Sequence, residues 1–154
     1  YARTFSTASE SLLFMGATGL GKTLLSGCIA RAVADRGYSV CYVSAGKLFS
    51  DFETEKFRLK EDGALTGEYL QTDLLIIDDL GTEMTTQFTV SALYQIVNGR
   101  LLSGKPTIVS TNLPDMELEA RYSAQIASRL LGAYTLYQFC GTDVRLLRKM
   151  ESRG

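Results

Sequence analysis

The sequence predicts an α/β fold in which a five-stranded, mostly parallel sheet is covered by helices on both faces. Two observations carry this prediction. Short runs that are apolar throughout, such as 12–15 and 74–77, alternate with longer amphipathic segments, and strands buried on both faces have this composition. Gly37, Gly104 and Pro106 fall where one segment ends and the next begins, as expected of residues that stop helices and open turns.

The first half of the chain fits this alternation element by element. The run Leu-Leu-Phe-Met at 12–15 leads straight into Gly16, as a buried strand leads into a loop. Val40, Tyr42 and Val43 are strong β-formers placed soon after the Gly37 turn. The expected elements are, in order, a strand at 12–15, a helix at 24–37, a strand at 39–44 and a charged helical region at 47–70 with breaks near Gly63 and Gly67.

The second half repeats the pattern. A fully apolar strand core at 74–77 is bounded by aspartates, and an amphipathic helix from Phe88 stops at Gly104. The expected elements are a strand at 73–78, a helix at 88–102, a strand at 106–111, two short helices within 115–131, and a last strand at 134–139 before a basic tail.

Length and charge limit what the protein can be. A chain of 154 residues is predicted to form one domain spanning 1–154. None of its apolar runs approaches the roughly 20 residues that a membrane span needs, so we expect no membrane crossing. The net charge of −1 gives no general signal for nucleic acid, so DNA contact needs a local basic patch. Because Tyr1 is not an initiator methionine, we expect further residues upstream.

The cysteines indicate the compartment. Cys28, Cys41 and Cys140 are far apart in the sequence and have apolar neighbours, and the chain has no histidine to complete a mixed zinc site. We therefore predict three buried free thiols and a cytoplasmic protein, because free thiols persist in a reducing compartment.

The segment after the first strand carries the strongest functional signal. It matches the P-loop pattern G-x-x-x-x-G-K-[ST] in full, between a predicted strand and a predicted helix. Backbone N–H groups and the helix N-terminus would face phosphate, Lys22 would add a cation, and Thr23 would offer a hydroxyl to Mg²⁺. The predicted nucleotide-binding residues are Gly16, Ala17, Thr18, Gly19, Leu20, Gly21, Lys22, Thr23 and Leu24.

Two aspartates follow the third apolar strand core. Asp78 is placed to project toward Mg²⁺ at the carboxyl edge of the sheet, so it is the predicted metal-binding acid. Asp79 is the predicted base that activates the attacking water, with Glu83 as an alternative. A helix cap or a solvated loop is the competing explanation for the two aspartates.

Three further polar residues are candidates for reading the γ-phosphate. Asn112 follows the fourth strand at the same edge, although an Asx turn before Pro114 would also explain it. Arg129 and Arg145 are either surface cations or groups that reach a γ-phosphate, which the residues alone do not decide. The lack of an N-K-x-D motif favours ATP over GTP.

These motifs together resemble the AAA+ ATPase domain of bacterial replicative helicase loaders of the DnaC/DnaI type, which are related to IstB-like ATPases. The resemblance covers nearly the whole chain. Its most specific parts are the run Asp-Asp-Leu-Gly-Thr-Glu at 78–83 and Ser128-Arg129-Leu130. It implies a three-layer AAA+ fold with a reduced or absent C-terminal lid. Asp79 stands where many AAA+ proteins have glutamate.

By this resemblance, Arg129 would be an arginine finger that reaches the nucleotide of a neighbouring subunit. Arg145 would be a second sensor within the same subunit. Hydrolysis would then depend on self-association and would be slow in the isolated domain. The implied function is ATP- and Mg²⁺-dependent loading of a replicative helicase onto single-stranded DNA, with the helicase bound through a module upstream of this chain.

The resemblance also implies a DNA contact in the second helical region. Lys56 and Lys60 are four residues apart and share a helix face, but neighbouring acids also fit a solvated charged surface. Phe49, Phe52 and Phe57 fit core packing better than base stacking. Two alternative functions stay open: an IstB-like transposition helper acting on double-stranded DNA, and a nucleotide-binding scaffold with negligible turnover.

Overall fold

The computed structural model describes residues 1–57 and 64–143. Within them, five strands form one sheet in which every neighbouring pair is parallel, in the order β2-β3-β4-β1-β5. The predicted mostly parallel α/β sheet is therefore confirmed. The strands are β1 Leu12–Met15, β2 Val40–Ser44, β3 Leu74–Leu80, β4 Thr107–Thr111 and β5 Thr135–Gln138.

Helices connect the strands as a parallel sheet requires. They are α1 Lys22–Ala34, α2 Ala45–Phe57, α3 Ala64–Gln71, α4 Gln87–Leu102, α5 Asp115–Tyr122 and α6 Ala124–Ala133. The break expected near Gly67 is wrong, because Gly67 lies inside α3. Gly63 and the C-terminal segment in which a lid was considered lie outside the described residues.

The core lies on both faces of the sheet, because successive residues of each strand point to opposite sides. On one face Phe14 and Ile76 pack with Ile29 and Val33 of α1. On the other face the strands pack against α2 to α6, and this cluster includes Phe52. The result is three layers, and among the described helices only α1 lies on the first face. The core prediction for Phe49 and Phe52 is confirmed, since they are 4% and 7% exposed.

A buried arginine cross-links the strands at the end of the sheet where they begin, which is the end opposite the P-loop. The Arg100 side chain is 0% exposed, and its guanidinium donates hydrogen bonds to carbonyl oxygens near the starts of two strands and to one hydroxyl. The shortest of these are to Tyr69 O (2.8 Å), Thr72 O (3.0 Å), Pro106 O (2.6 Å) and Thr107 Oγ1 (2.8 Å). Burial lowers the pKa of Arg100 to about 10, so it remains charged at neutral pH.

The structure bears on two expectations from composition, the burial of the cysteines and the lack of a membrane span. Cys28 and Cys140 are exposed and Cys41 is partly exposed, so the prediction of three buried thiols is wrong, although all three are free. Cys28 points outward because the neighbouring Ile29 faces the sheet. Among the helices that the structure describes, none is long and apolar enough to cross a membrane.

Candidate functional site

The P-loop joins β1 to α1 at the carboxyl edge of the sheet. Gly21 caps α1 with φ 90°, a left-handed conformation that glycine adopts without strain. As a glycine, Gly21 has no side chain with which to cap the first turn of α1. The N–H groups of this turn and the positive end of the helix dipole therefore face outward, as an anion-binding loop requires.

Gly16 is fixed by a close approach of two chain segments. The Phe139 N–H donates to the Met15 carbonyl oxygen at 2.7 Å, which holds the residues after β5 across the start of the loop. A Cβ at position 16 would lie 2.8 Å from the Phe139 Cβ, and the backbone there has φ 147°. Position 16 therefore accepts only glycine.

Lys22 is folded onto its own loop. Its ammonium donates to the carbonyl oxygens of Gly16 (2.5 Å) and Ala17 (2.8 Å), and the residue is 5% exposed. Burial lowers the pKa of Lys22, while the charges of Asp79 and Asp78 act to raise it. The Lys22 ammonium therefore lies close enough to both aspartates for their negative charges to stabilise its protonated form.

Asp78 lies within β3 rather than after it and is 5% exposed. The Tyr42 hydroxyl donates to Oδ2 at 2.6 Å, and the Ser110 hydroxyl donates to Oδ1. Burial and this bond to Asp78 raise the pKa of Tyr42, so the phenol stays a neutral donor. Because a carboxylate accepts about four hydrogen bonds or metal contacts, Asp78 keeps capacity for a cation.

Asp79 occupies a bulge. The β3–β4 register shifts between Ile77 and Leu80, and Asp79 has φ 55°, unusual for a residue other than glycine. Its N–H donates to the Ser110 hydroxyl oxygen at 2.9 Å. Asp79 is exposed between two buried neighbours, so the bulge turns this carboxylate toward solvent beside Lys22.

Asn112 follows β4 and lies next to the P-loop. Strands β1 and β4 are neighbours with Met15 opposite Thr111, which puts Asn112 beside Gly16. Asn112, Gly16 and Ala17 line one cavity of about 570 Å³. The amide and the start of the loop therefore lie together at the end of the sheet where Ser110 contacts Asp78.

Glu83, the alternative base, is engaged in a turn. Its Oε2 accepts the Gly81 N–H at 3.0 Å, and its Oε1 accepts the Tyr122 hydroxyl of α5. Arg121 of α5 also donates to the Gly81 carbonyl oxygen. These contacts give Glu83 a structural task, so Asp79 is the better candidate for the base.

Arg129 lies on α6 and is docked on α4. Its guanidinium donates to the Asn98 side-chain oxygen (3.0 Å), the Tyr94 hydroxyl (3.1 Å) and the Gln125 carbonyl oxygen (3.1 Å), and it sits 4.8 Å from the centre of the Tyr94 ring. The side chain is partly exposed, which leaves one surface available to a neighbouring molecule.

Of the remaining predicted site residues, two are described by the structure and two are not. Lys56 is exposed, and its ammonium lies 5.1 Å from the centre of the Phe88 ring beside a cavity of about 750 Å³. Thr23 is exposed in the first turn of α1. Lys60 and Arg145 lie outside the described residues.

An acidic side chain that the sequence did not single out reaches the P-loop. The Asp143 carboxyl group lies where a Cβ on Gly19 would stand. Tyr42 and Ser110 were also missed. The one sequence signal for Ser110 was its position directly before Thr111 and Asn112 at the end of the predicted fourth strand.

The oxygen donors near the loop suit a hard cation. Asp78 offers a carboxylate and Thr23 a hydroxyl, and Mg²⁺ prefers oxygen ligands and completes its shell with water and phosphate. The described residues contain no group of three or more acidic, cysteine or histidine side chains placed to hold a metal alone. The two donors therefore fit a magnesium ion that arrives with a nucleotide.

Two proteins similar to this chain in sequence bear on its family. An ATP-binding protein of an insertion sequence from Mycobacterium tuberculosis (strain H37Rv) is 30% identical over 68% of this chain and 41% of its own length. The replicative helicase loader DnaC of Escherichia coli K12 is 26% identical over 84% of this chain and 54% of its own length. The chain thus spans about half the length of these relatives.

The fold also matches solved structures. A crystal structure of the DnaC helicase loader superposes with a TM-score of 0.81 at 21% identity, covering 90% of this chain and 84% of that one. The three-layer α/β fold that the resemblance implied is therefore confirmed. The family model described as IstB-like ATP binding protein matches residues 2–136. The chain belongs to the family of IstB-like ATP-binding proteins.

Proposed function

We propose that this chain is the ATPase domain of a DNA replication protein that helps load a replicative helicase onto single-stranded DNA. One observation carries the ATPase assignment: Lys22, the Asp78–Asp79 pair and Asn112 converge on the start of the P-loop. The similarity to DnaC supports the replication assignment. The helicase itself is proposed to bind a module upstream of this chain.

ATP binding requires Lys22 to change partners. Its ammonium now satisfies two carbonyl oxygens of the loop, at Gly16 and Ala17. A triphosphate offers stronger, charged acceptors at the N-terminus of α1, so the lysine exchanges the carbonyls for phosphate oxygens when nucleotide enters. The exchange keeps the ammonium satisfied in both states.

Hydrolysis is assigned to the acids and the amide. Mg²⁺ would be held by Thr23 and Asp78 and would neutralise charge on the phosphates. Asp79 is exposed and free of the constraints that bind Asp78, so it accepts the proton of the attacking water. Asn112 faces the cavity beside Gly16 and orients the γ-phosphate or the water.

Arg129 is proposed to act on the nucleotide of a neighbouring copy. Its dock on Tyr94 and Asn98 holds the guanidinium at the surface, ready to be presented to another subunit. A head-to-tail contact of this kind forms rings or open spirals. Turnover should therefore rise with protein concentration. Arg145 is proposed as a sensor of nucleotide in its own subunit.

Single-stranded DNA is proposed to pass near Lys56. The Lys56 ammonium lies over the Phe88 ring, so a cation and an aromatic face stand together beside a wide cavity. Single strands are bound by cations that track phosphates and by aromatic faces on which bases stack. Lys60 is proposed to share this contact.

A transposition helper acting on double-stranded DNA is the second candidate. The match to the IstB-like family and to the insertion-sequence protein favours it. Binding to short single- and double-stranded DNA of one sequence, measured with ATP present, separates the two functions. A preference for single strands supports helicase loading, and a strong duplex preference would replace it with the transposition function.

The nucleotide site itself is tested by Lys22→Ala. Calorimetry with ATP and Mg²⁺ should show wild-type binding and none for the variant. Lys105→Ala, at the opposite edge of the sheet, is the control and should bind normally. Undiminished affinity of Lys22→Ala would refute the site. Phosphate release with and without single-stranded DNA then separates an ATPase from a scaffold, which would show no turnover in any condition.

A further inference from the structure

We infer that Tyr42 and Ser110 are positioning residues that set the Asp78 carboxylate for its cation. This inference rests on the proposed function. Neither residue belongs to the P-loop or to the groups assigned to the γ-phosphate. Their role follows from where three neighbouring strands place them.

The three side chains lie in a row on one face of the sheet. Tyr42 stands opposite Ile76 on β3, so it shares a face with Asp78 two residues further on. Ile77 stands opposite Val109, which puts Ser110 at the level of Asp78 on the other side. Strands β2, β3 and β4 therefore supply one donor, one carboxylate and one donor in sequence across the sheet.

Each carboxylate oxygen of Asp78 has its own hydroxyl. The Tyr42 hydroxyl donates to Oδ2 at 2.6 Å and the Ser110 hydroxyl to Oδ1. A carboxylate held at both oxygens cannot rotate freely about its Cβ–Cγ bond, so its remaining lone pairs keep a fixed direction. Hydrogen bonds of this kind orient metal-binding carboxylates in many proteins.

Ser110 also connects the two acids. Its oxygen accepts the Asp79 N–H at 2.9 Å while its hydrogen goes to Asp78. This bond helps hold the left-handed backbone of Asp79, a conformation that residues other than glycine rarely adopt. A single, fully buried hydroxyl thus fixes the direction of Asp78 and the bulge that exposes Asp79.

The exposure of Tyr42 makes the inference testable. The residue is 40% exposed at the sheet edge, so its ring is not a major part of the core. Tyr42→Phe keeps the ring and removes only the hydroxyl. A loss of metal response in this variant therefore reports on the hydrogen bond to Asp78 and not on unfolding.

The experiment measures the affinity for a fluorescent ATP analogue in EDTA and in saturating Mg²⁺. The ratio of the two dissociation constants is the metal enhancement. We expect it to be about tenfold smaller in Tyr42→Phe than in wild type, with the EDTA affinity unchanged. The urea midpoint should fall, because a buried oxygen of Asp78 loses its donor, but the variant should still be folded in the assay buffer. Ser110→Ala should reduce it at least as much. Tyr38→Phe, just before the start of β2, is the matched control and should behave as wild type.

The outcomes separate the claims. An enhancement in Tyr42→Phe that equals the wild-type value would overturn the positioning role and leave the proposed function intact. A lower urea midpoint with a normal enhancement would give the hydroxyl a purely structural role and would also overturn it. Wild-type protein that binds no nucleotide in either condition would overturn the proposed function and, with it, this inference.

Discussion

Replacing Arg100 with methionine tests how the edge opposite the P-loop supports the functional edge. The Arg100 guanidinium binds carbonyl oxygens just before β3 and just before β4, at Thr72 and Pro106. The same two strands lead to the candidate site, because β3 contains Asp78 and Asn112 follows β4. Methionine fills similar space without a donor, so the change removes the bonds and spares most of the packing.

The structure sets the size of the effect. Each buried acceptor that loses its partner costs about 1–3 kcal/mol, and four bonds of Arg100 are 3.0 Å or shorter. Removing the buried charge recovers several kcal/mol of its desolvation cost. We expect a net loss of about 3–5 kcal/mol, as found when a buried charged network loses one member. That is a large part of the roughly 5–15 kcal/mol that stabilises a domain.

Urea unfolding followed by circular dichroism measures this loss. Arg31→Met is the control, because the Arg31 side chain is 87% exposed on α1, and it should stay within about 0.5 kcal/mol of wild type. Arg100→Lys should lie between the two, since an ammonium has three donors where a guanidinium has five. An Arg100→Met protein within about 1 kcal/mol of wild type would show that these bonds do not hold the strands.

Three further outcomes are expected. Asp143→Asn should tighten ATP binding about tenfold in calorimetry, because it removes a negative charge lying against Gly19; an unchanged affinity would contradict the contact. Arg129→Ala should lower phosphate release about 10³-fold at concentrations that favour self-association, without changing ATP affinity, and wild-type turnover would rule out a role in trans. Gly16→Ala should cost about 1–3 kcal/mol in urea unfolding and abolish ATP binding, because its Cβ meets Phe139; normal binding would show that the loop adapts.

The sequence alone was enough to predict most of the helices and strands. It was also enough to predict which side chains lie at the carboxyl end of the sheet. A wholly apolar strand and a glycine-rich loop have local signals, and parallel strands bring their carboxyl ends together whatever their order. That is why Lys22, Asp78 and Asn112 could be placed near one another before the structure was known. The bulge at Asp79 has no such signal, because it depends on the shift in pairing between β3 and β4.

The residues that were missed depend on contacts between distant segments. Tyr42 reaches Asp78 from another strand, 36 residues away in the sequence. Asp143 meets Gly19 only because the chain after β5 returns across the loop. The wrong burial of Cys28 has a related cause, since apolar neighbours along a helix do not determine which side of it faces the sheet.

The turn after β3 and helix α5 are latched together by two contacts, Glu83 with Tyr122 and Arg121 with Gly81. Only one residue separates α5 from α6, the helix that bears Arg129. A displacement of α6 is therefore transmitted to α5 and to these two contacts. If α5 moves, the turn either moves with it or loses both hydrogen bonds. Asp79 lies two residues before Gly81, where this turn begins. The fold thus couples any contact made on α6 to the turn beside Asp79, the acid proposed to activate water.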